Sequence, residues 1–321
     1  MEAGITMELS VMQSMPYLVI EGIPKEGLHL SDDYWIGTDK ELASAMAVKL
    51  RSCAGSLEAE HLAENPVYAY VLKRYAKGHM DDQDGLLFAS QFANTTQMLL
   101  LAIWLVKDNS ANGGTTYLRH DHAGDPDFLS VTRSVYFFTA DCEFRTETLI
   151  KPEFDKAIEY LALLEKTIPK VNANKKRLSG LIHESRIART LYFVQAARSA
   201  DDLAVKIAFY CMCFESMFST DKTGVTHRVS ERTAAFLGGT GDDKKSTYKD
   251  THELYSLRSA TVHGARIKLG DTPKLVELTK RGDNYLRRCI DRMLREPAEN
   301  KLFTQNNAQH IDDYFMNKLF Q

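Results

Sequence analysis

The stretch from Asp202 to Phe218 constrains the fold most. Leu203, Val205, Ile207, Phe209, Tyr210, Met212, Phe214, Met217 and Phe218 leave a helix of that length almost no polar face. Such a helix is stable only when other elements enclose it, so it belongs at the centre of a bundle. Glu215 is the anomaly within it, because a carboxylate there must be paired, hydrogen-bonded or neutral. The surroundings suit a bundle. From Phe154 onward the pattern is helical almost throughout, with turn signals at Pro169–Asn174, Ser199–Asp202, Ser219–Gly224, Gly238–Asp243 and Gly264–Pro273.

The first half reads differently. Tyr17–Ile20 and Leu28–Leu30, separated by Gly22, Pro24 and Gly27, suggest short strands and turns. A helical pattern runs from about Asp39 to Lys77, with Pro66 placed to open a second helix. An acidic loop is expected at Asp81–Gly85, then a long apolar helix over residues 86–107, ended by turn formers between Asp108 and Gly114. Residues 115–150 look extended, with Val131, Val135, Tyr136, Phe137 and Phe138 as sheet positions. The expectation is a mainly α chain with two domains: an α+β domain over residues 1–150, and a helical bundle with a helical tail over residues 151–321. A length of 321 residues is ample for both.

Charge and cysteine content narrow the function classes. A net charge of −3 argues against a protein that coats nucleic acid wholesale. The charge is uneven, however. Residues 222–295 hold 16 Lys and Arg against nine Asp and Glu, a net +7, which leaves −10 for the rest. A confined site for a phosphate-bearing ligand in the helical half fits that distribution. The longest apolar run, Met98–Val106, has nine residues, short of the roughly 20 that span a bilayer. Glu2 and Glu8 stand where a secretion signal would be basic. A cytoplasmic protein without a membrane span is therefore expected. Five scattered cysteines suit reduced, buried thiols better than a disulfide framework, and Cys211 and Cys213 are one residue too close for a C-x-x-C site.

The chemistry concentrates in Leu254-Tyr-Ser-Leu-Arg-Ser-Ala-Thr-Val-His-Gly264, where Arg258 and His263 stand at R-x4-H spacing near a helix end that Gly264 can cap. Spacing alone is weak: 18 arginines and 10 histidines give about 1.7 chance pairs with four to six residues between them. Three occur, Arg74 with His79 and Arg177 with His183 being the others. On an ideal helix His263 lies about 140° around from Arg258, so the two do not converge without a distorted helix end or a second chain.

The surrounding sequence resembles the HEPN superfamily, in particular its Apea-like branch, whose signature helix is close to residues 254–264. In the same order come Phe214-Glu-Ser-Met-Phe218, then Thr226-His-Arg-Val-Ser-Glu-Arg-Thr-Ala234, then the motif helix, then a helix from Pro273 to Leu294. The resemblance covers about residues 180–295. It implies a HEPN-like bundle and a homodimer that cleaves RNA without metal or cofactor, as a toxin or phage-defence effector.

Residue chemistry is compatible with that. RNA carries its own 2′-hydroxyl nucleophile; an imidazole can move the proton, and a guanidinium can hold the phosphate. On this reading Arg258 and His263 are catalytic and Glu215 and Ser259 support them, while His227, Arg228, Arg232, Arg266 and Lys268 bind RNA. The other reading is a non-catalytic interaction scaffold or nucleotide-binding module, with Arg258 simply paired to Glu215 and His263 a cation at a helix end.

Other signals are weaker. His120-Asp121-His122 has metal-ligand residue types, but the neighbouring glycines suggest a loop and no metal is expected. Gly238-Gly-Thr-Gly241 lacks the G-K-[ST] ending of a phosphate loop. Ile311, Tyr314, Phe315, Leu319 and Phe320 have helical spacing and should dock on the core or on a sister subunit.

Overall fold

Short strands in the first half pair into a sheet accompanied by helices, and 3.6-residue periodicity makes the second half helical. The computed structural model describes residues 7–31, 33–75, 80–122, 125–132, 135–168, 185–221, 223–263 and 272–319. Among these the order is β1 (Met7–Ser14), β2 (Leu18–Ile20), β3 (Leu28–Ser31), β4 (Tyr34–Gly37), α1 (Lys40–Ala54), α2 (Ser56–Glu64), β5 (Tyr68–Tyr75), α3 (Asp82–Val106), β6 (Thr116–His122), β7 (Asp125–Val131) and β8 (Glu147–Leu149). Helices follow: α4 (Lys151–Thr167), α5 (Arg186–Arg198), α6 (Leu203–Phe218), α7 (Val225–Leu237), α8 (Gly241–Val262), α9 (Thr272–Arg295), α10 (Pro297–Thr304) and α11 (Ala308–Leu319). The chain is mainly helical, with strands confined to its first half.

Two units form. The first comprises residues 1–103, 109–136 and 144–158; the second comprises residues 104–108, 137–143 and 159–321. In the first, a six-stranded sheet has the order β3-β4-β5-β1-β6-β7, and β2 pairs in parallel with β8. β1 is central, with Leu9, Ser10, Val11 and Met12 all buried. Met12, Tyr68, Tyr70 and Tyr117 pack with Met46, Leu50 and Leu62 of α1 and α2. On α3, Thr96 shares a 2.7 Å hydrogen bond with Tyr34, whose ring lies 4.8 Å from that of Phe92.

Several sequence expectations change here. Residues 68–75 form a strand within the sheet instead of continuing a helix. Their aromatic and β-branched residues find ladder partners in β1, such as Val71 opposite Val11, and Pro66 lies between α2 and β5. The acidic segment opens α3 instead of forming a loop, because the Asp81 carboxylate accepts the Asp84 N–H at 2.8 Å and carboxylates suit a helix N-terminus. His120-Asp121-His122 lies on β6, paired with both β1 and β7. Val135 and Tyr136 are exposed and outside any strand, as is buried Phe137. At 25 residues α3 is long and apolar enough to cross a membrane by length and composition, although half of its most apolar window is buried inside the protein.

In the second unit α6 is packed against α5, α7, α8 and α9. Asp202 caps its start by accepting the Ala204 and Val205 N–H groups. Two arginines satisfy carbonyls at its end: Arg186 donates to Ser219 O at 2.8 Å, and Arg232 to Phe218 O at 2.8 Å. The helix is not enclosed all round. Val205 and Met212 remain 43% and 36% exposed, with Phe209 partly buried between them.

Beneath α6 lies a polar network that sequence patterning does not reveal. Buried Asp283 accepts from Trp104 Nε1 at 3.0 Å, Tyr210 Oη at 3.1 Å and Arg287 Nε at 2.8 Å. Lys206, fully buried, donates to Ala197 O at 2.8 Å. Arg198 stacks 4.2 Å over the Phe137 ring, and burial pulls its pKa down to about 10. Cys211, Cys213 and Cys289 are buried free thiols, with burial the main force pushing each pKa up. At the far end, Phe218, Phe236, Phe303 and Phe315 cluster, so α11 docks on the bundle.

Candidate functional site

Helix α8 carries both motif side chains. Its start is fixed by a capping box, in which Thr240 accepts the Asp243 N–H and the Asp243 carboxylate accepts the Thr240 N–H. The buried stripe is Thr247, Asp250, Thr251, Leu254 and Tyr255, and Arg258 continues it by helical phase. Here the bundle is ending, so the Arg258 side chain is 35% exposed instead of buried. His263 is the C-cap residue, donating its backbone N–H to Ser259 O at 3.0 Å, and its side chain is exposed.

Helical geometry holds up to Val262, so the azimuthal separation of about 140° between the two side chains persists. Arg258 turns toward α6, where its Nη2 is 3.9 Å from Glu215 Oε1. Burial pushes the Glu215 carboxyl above its ordinary pKa, partly offset by the Arg258 charge and the Tyr255 hydroxyl. That hydroxyl, 4% of its residue being exposed, donates to Cys211 O at 3.1 Å. Tyr255 thus stands under the Arg258–Glu215 pair, a role its place in the motif did not by itself reveal.

The supporting residues separate into distinct environments. Ser259 is exposed on the His263 side of α8. His227 is exposed on α7, its ring 5.8 Å from that of Tyr248 in an edge-on arrangement. Arg228 pairs with Asp221 at 3.4 Å. Arg232 does not belong with them. Its side chain is 11% exposed, donates to Phe218 O and Thr220 Oγ1, pairs with Asp312, and lies 5.1 Å from the centre of the Phe315 ring. That guanidinium ties α6, α7 and α11 together. Arg266 and Lys268 lie outside the described residues, as do Gly264, His79, Arg177 and His183.

Elsewhere, His120 is 1% exposed with neither ring nitrogen hydrogen-bonded. Among the described residues no three His, Cys, Asp or Glu side chains are grouped to hold a metal ion. The outer face of α8 carries a shallow open groove lined by Tyr248, Lys249, His252, Glu253 and Ser256, which sequence analysis missed. Its signal was the four-residue spacing of Tyr248, His252 and Ser256. No protein-family model, curated protein or solved structure matches the chain.

Proposed function

We propose that this protein is a metal-independent endoribonuclease of the HEPN type, close to the Apea-like branch, acting in the cytoplasm as a homodimer in toxin or phage-defence work. The observation that carries this reading is that Arg258 and His263, in their motif context, both reach solvent at the same end of α8. Their divergence on that helix argues that a single chain does not aim both at one phosphodiester. Two α8 ends related by a two-fold axis would supply an arginine from one chain and a histidine from the other. A row of exposed Val205, half-buried Phe209 and exposed Met212 ends one turn before Glu215, the partner of Arg258, and gives a second copy an apolar surface to cover.

In such a cleft the His263 imidazole takes the 2′-hydroxyl proton as the 2′-oxygen attacks phosphorus. The P–O5′ bond breaks, and the departing 5′-oxygen takes a proton from an imidazolium, leaving a 2′,3′-cyclic phosphate and a 5′-hydroxyl. Arg258 stabilises the charge of the pentacoordinate transition state, and Glu215 positions its guanidinium. Neither step calls for a metal or cofactor.

The test is RNA cleavage in EDTA by wild type, Arg258→Ala and His263→Ala at matched folding and dimer content. Losses of about 10²- to 10⁴-fold are expected for His263→Ala, and a comparable loss for Arg258→Ala. EDTA-resistant cutting that survives both substitutions would overturn the assignment. The Arg258–Glu215 pair also suits a non-catalytic scaffold or nucleotide-binding module, in which it only joins α8 to α6. That role predicts that Arg258→Ala lowers stability while neither variant changes any cleavage.

A further inference from the structure

The outer face of α8 bears a row of groups that the proposed chemistry does not use. His227, Tyr248 and His252 form a continuous ring series: 5.8 Å and edge-on between the first two, 5.9 Å and tilted by 33° between the second two. Tyr248 is partly buried, which fixes its ring, while His227 and His252 are exposed. Between Tyr248 and Ser256 the surface is concave, with the exposed cation Lys249 on the same face. The carboxylate in the groove, Glu253, is ion-paired with Lys274.

Flat rings beside a cation and hydroxyls, open to solvent, suit a planar base on a charged backbone. An enclosed apolar ligand would find no enclosure there. Helical phase links this groove to the motif: His252 and His263 lie within about 20° of each other around α8 and about 16 Å apart along it. Ser256 and Ser259 lie between them on the same exposed face. A single strand covers that distance in about five stacked nucleotides at about 3.4 Å each, and in fewer when its bases are splayed.

We propose that this groove is a nucleobase subsite for single-stranded RNA. A base within about five nucleotides of the scissile phosphate stacks on Tyr248 and His252, and Lys249 meets the adjoining phosphate. The proposal rests on the ribonuclease reading, and it accounts for strand path and base preference at that site. Stacking is tolerant of sequence, so the subsite favours flat, unpaired bases over a particular letter.

The test uses the full-length protein and a fluorescein-labelled, fully 2′-O-methylated 12-mer, which has no free internal 2′-hydroxyl and so reports binding without cleavage. Fluorescence anisotropy is read for wild type, Tyr248→Leu, Tyr248→Phe and His252→Ala, each checked for its thermal transition. Losing one stacking ring should weaken binding by about five- to 100-fold, with Tyr248→Phe close to wild type. An oligonucleotide scanned with single abasic sites should lose affinity for wild type at one position. That penalty should vanish in the Tyr248→Leu, His252→Ala double variant.

Equal affinity of wild type and double variant for the intact 12-mer overturns the subsite, as does no binding by wild type or a groove occupied only by a protein partner. The two proposals fail separately. Ring-dependent binding with no Arg258- or His263-dependent cleavage of unmodified RNA removes the nuclease and keeps the subsite. Motif-dependent cleavage that is indifferent to Tyr248 and His252 does the reverse.

Discussion

At Asp108, burial and then the nearby Asp283 carboxylate push the pKa from an ordinary 3.8 up to about 6. The folded state therefore holds a proton more tightly than the unfolded chain does. Stability from this group is complete below about pH 3.8 and is lost as the pH rises through about 6. Asp108→Asn removes the titration while keeping a side-chain oxygen for the Ala140 N–H, which Asp108 accepts at 2.9 Å. Urea unfolding across that range should show wild type losing ground to the variant as the pH rises; a constant difference would place Asp108 in a more solvated site. Residue type gave no warning of this network, since Asp108 sits among turn formers and reads as a loop residue. Its partners Asp283 and Arg198 lie far along the chain. Glu215 was more legible, because a carboxylate in an apolar helix demands a partner wherever the helix is placed.

Helices were largely readable because their periodicity is written within one turn. Helices α3 and α6 fall close to where the apolar pattern puts them, α8 and α9 lie between the turn signals at 238–243 and 264–273, and Asp202, Thr240 and Asp243 cap two of the starts. Strand β5 was not readable in the same way, since its alternation becomes decisive only when β1 and β4 flank it. Close packing between helices was also hidden. On α9, a Cβ at Gly282 would stand 3.0 Å from Leu254 Cδ1 and 3.3 Å from Tyr210 Cδ2, so this glycine lets α9 approach α8 and α6. Gly282→Val should cost about 1–3 kcal/mol through overpacking, read as a lower urea midpoint at unchanged slope. A variant as stable as wild type would mean that the three helices separate without penalty.

At the scale of the molecule, the expected boundary at residue 150 falls inside the first unit, which extends to residue 158. Two short segments, 104–108 and 137–143, belong to the second unit, with Trp104 bound to Asp283 and Phe137 under Arg198. The apolar row on α6 bears on assembly. Replacing Val205 and Met212, 43% and 36% exposed, by Asp puts charge on the open side of α6, and each variant is first checked for its thermal transition. If a second copy covers this row, light scattering should show the mass falling to one chain, and RNA cleavage should fall with it. An unchanged dimer would move the contact elsewhere. An unchanged activity in monomeric protein would end the shared-site mechanism.

The sequence by itself determined that the second half is a helical bundle around residues 203–218, and that Arg258 and His263 share one helix end about 140° apart. Those properties follow from the 3.6-residue repeat and need no knowledge of distant neighbours. Tertiary structure alone decided which charged groups face solvent. Arg232 and Arg228 look alike in a row of seven residues, yet Arg232 clamps Asp312, 80 positions away, while Arg228 stays near the surface with Asp221. A guanidinium's role depends on which acceptors reach it, and acceptors brought together by folding leave no local mark on the chain.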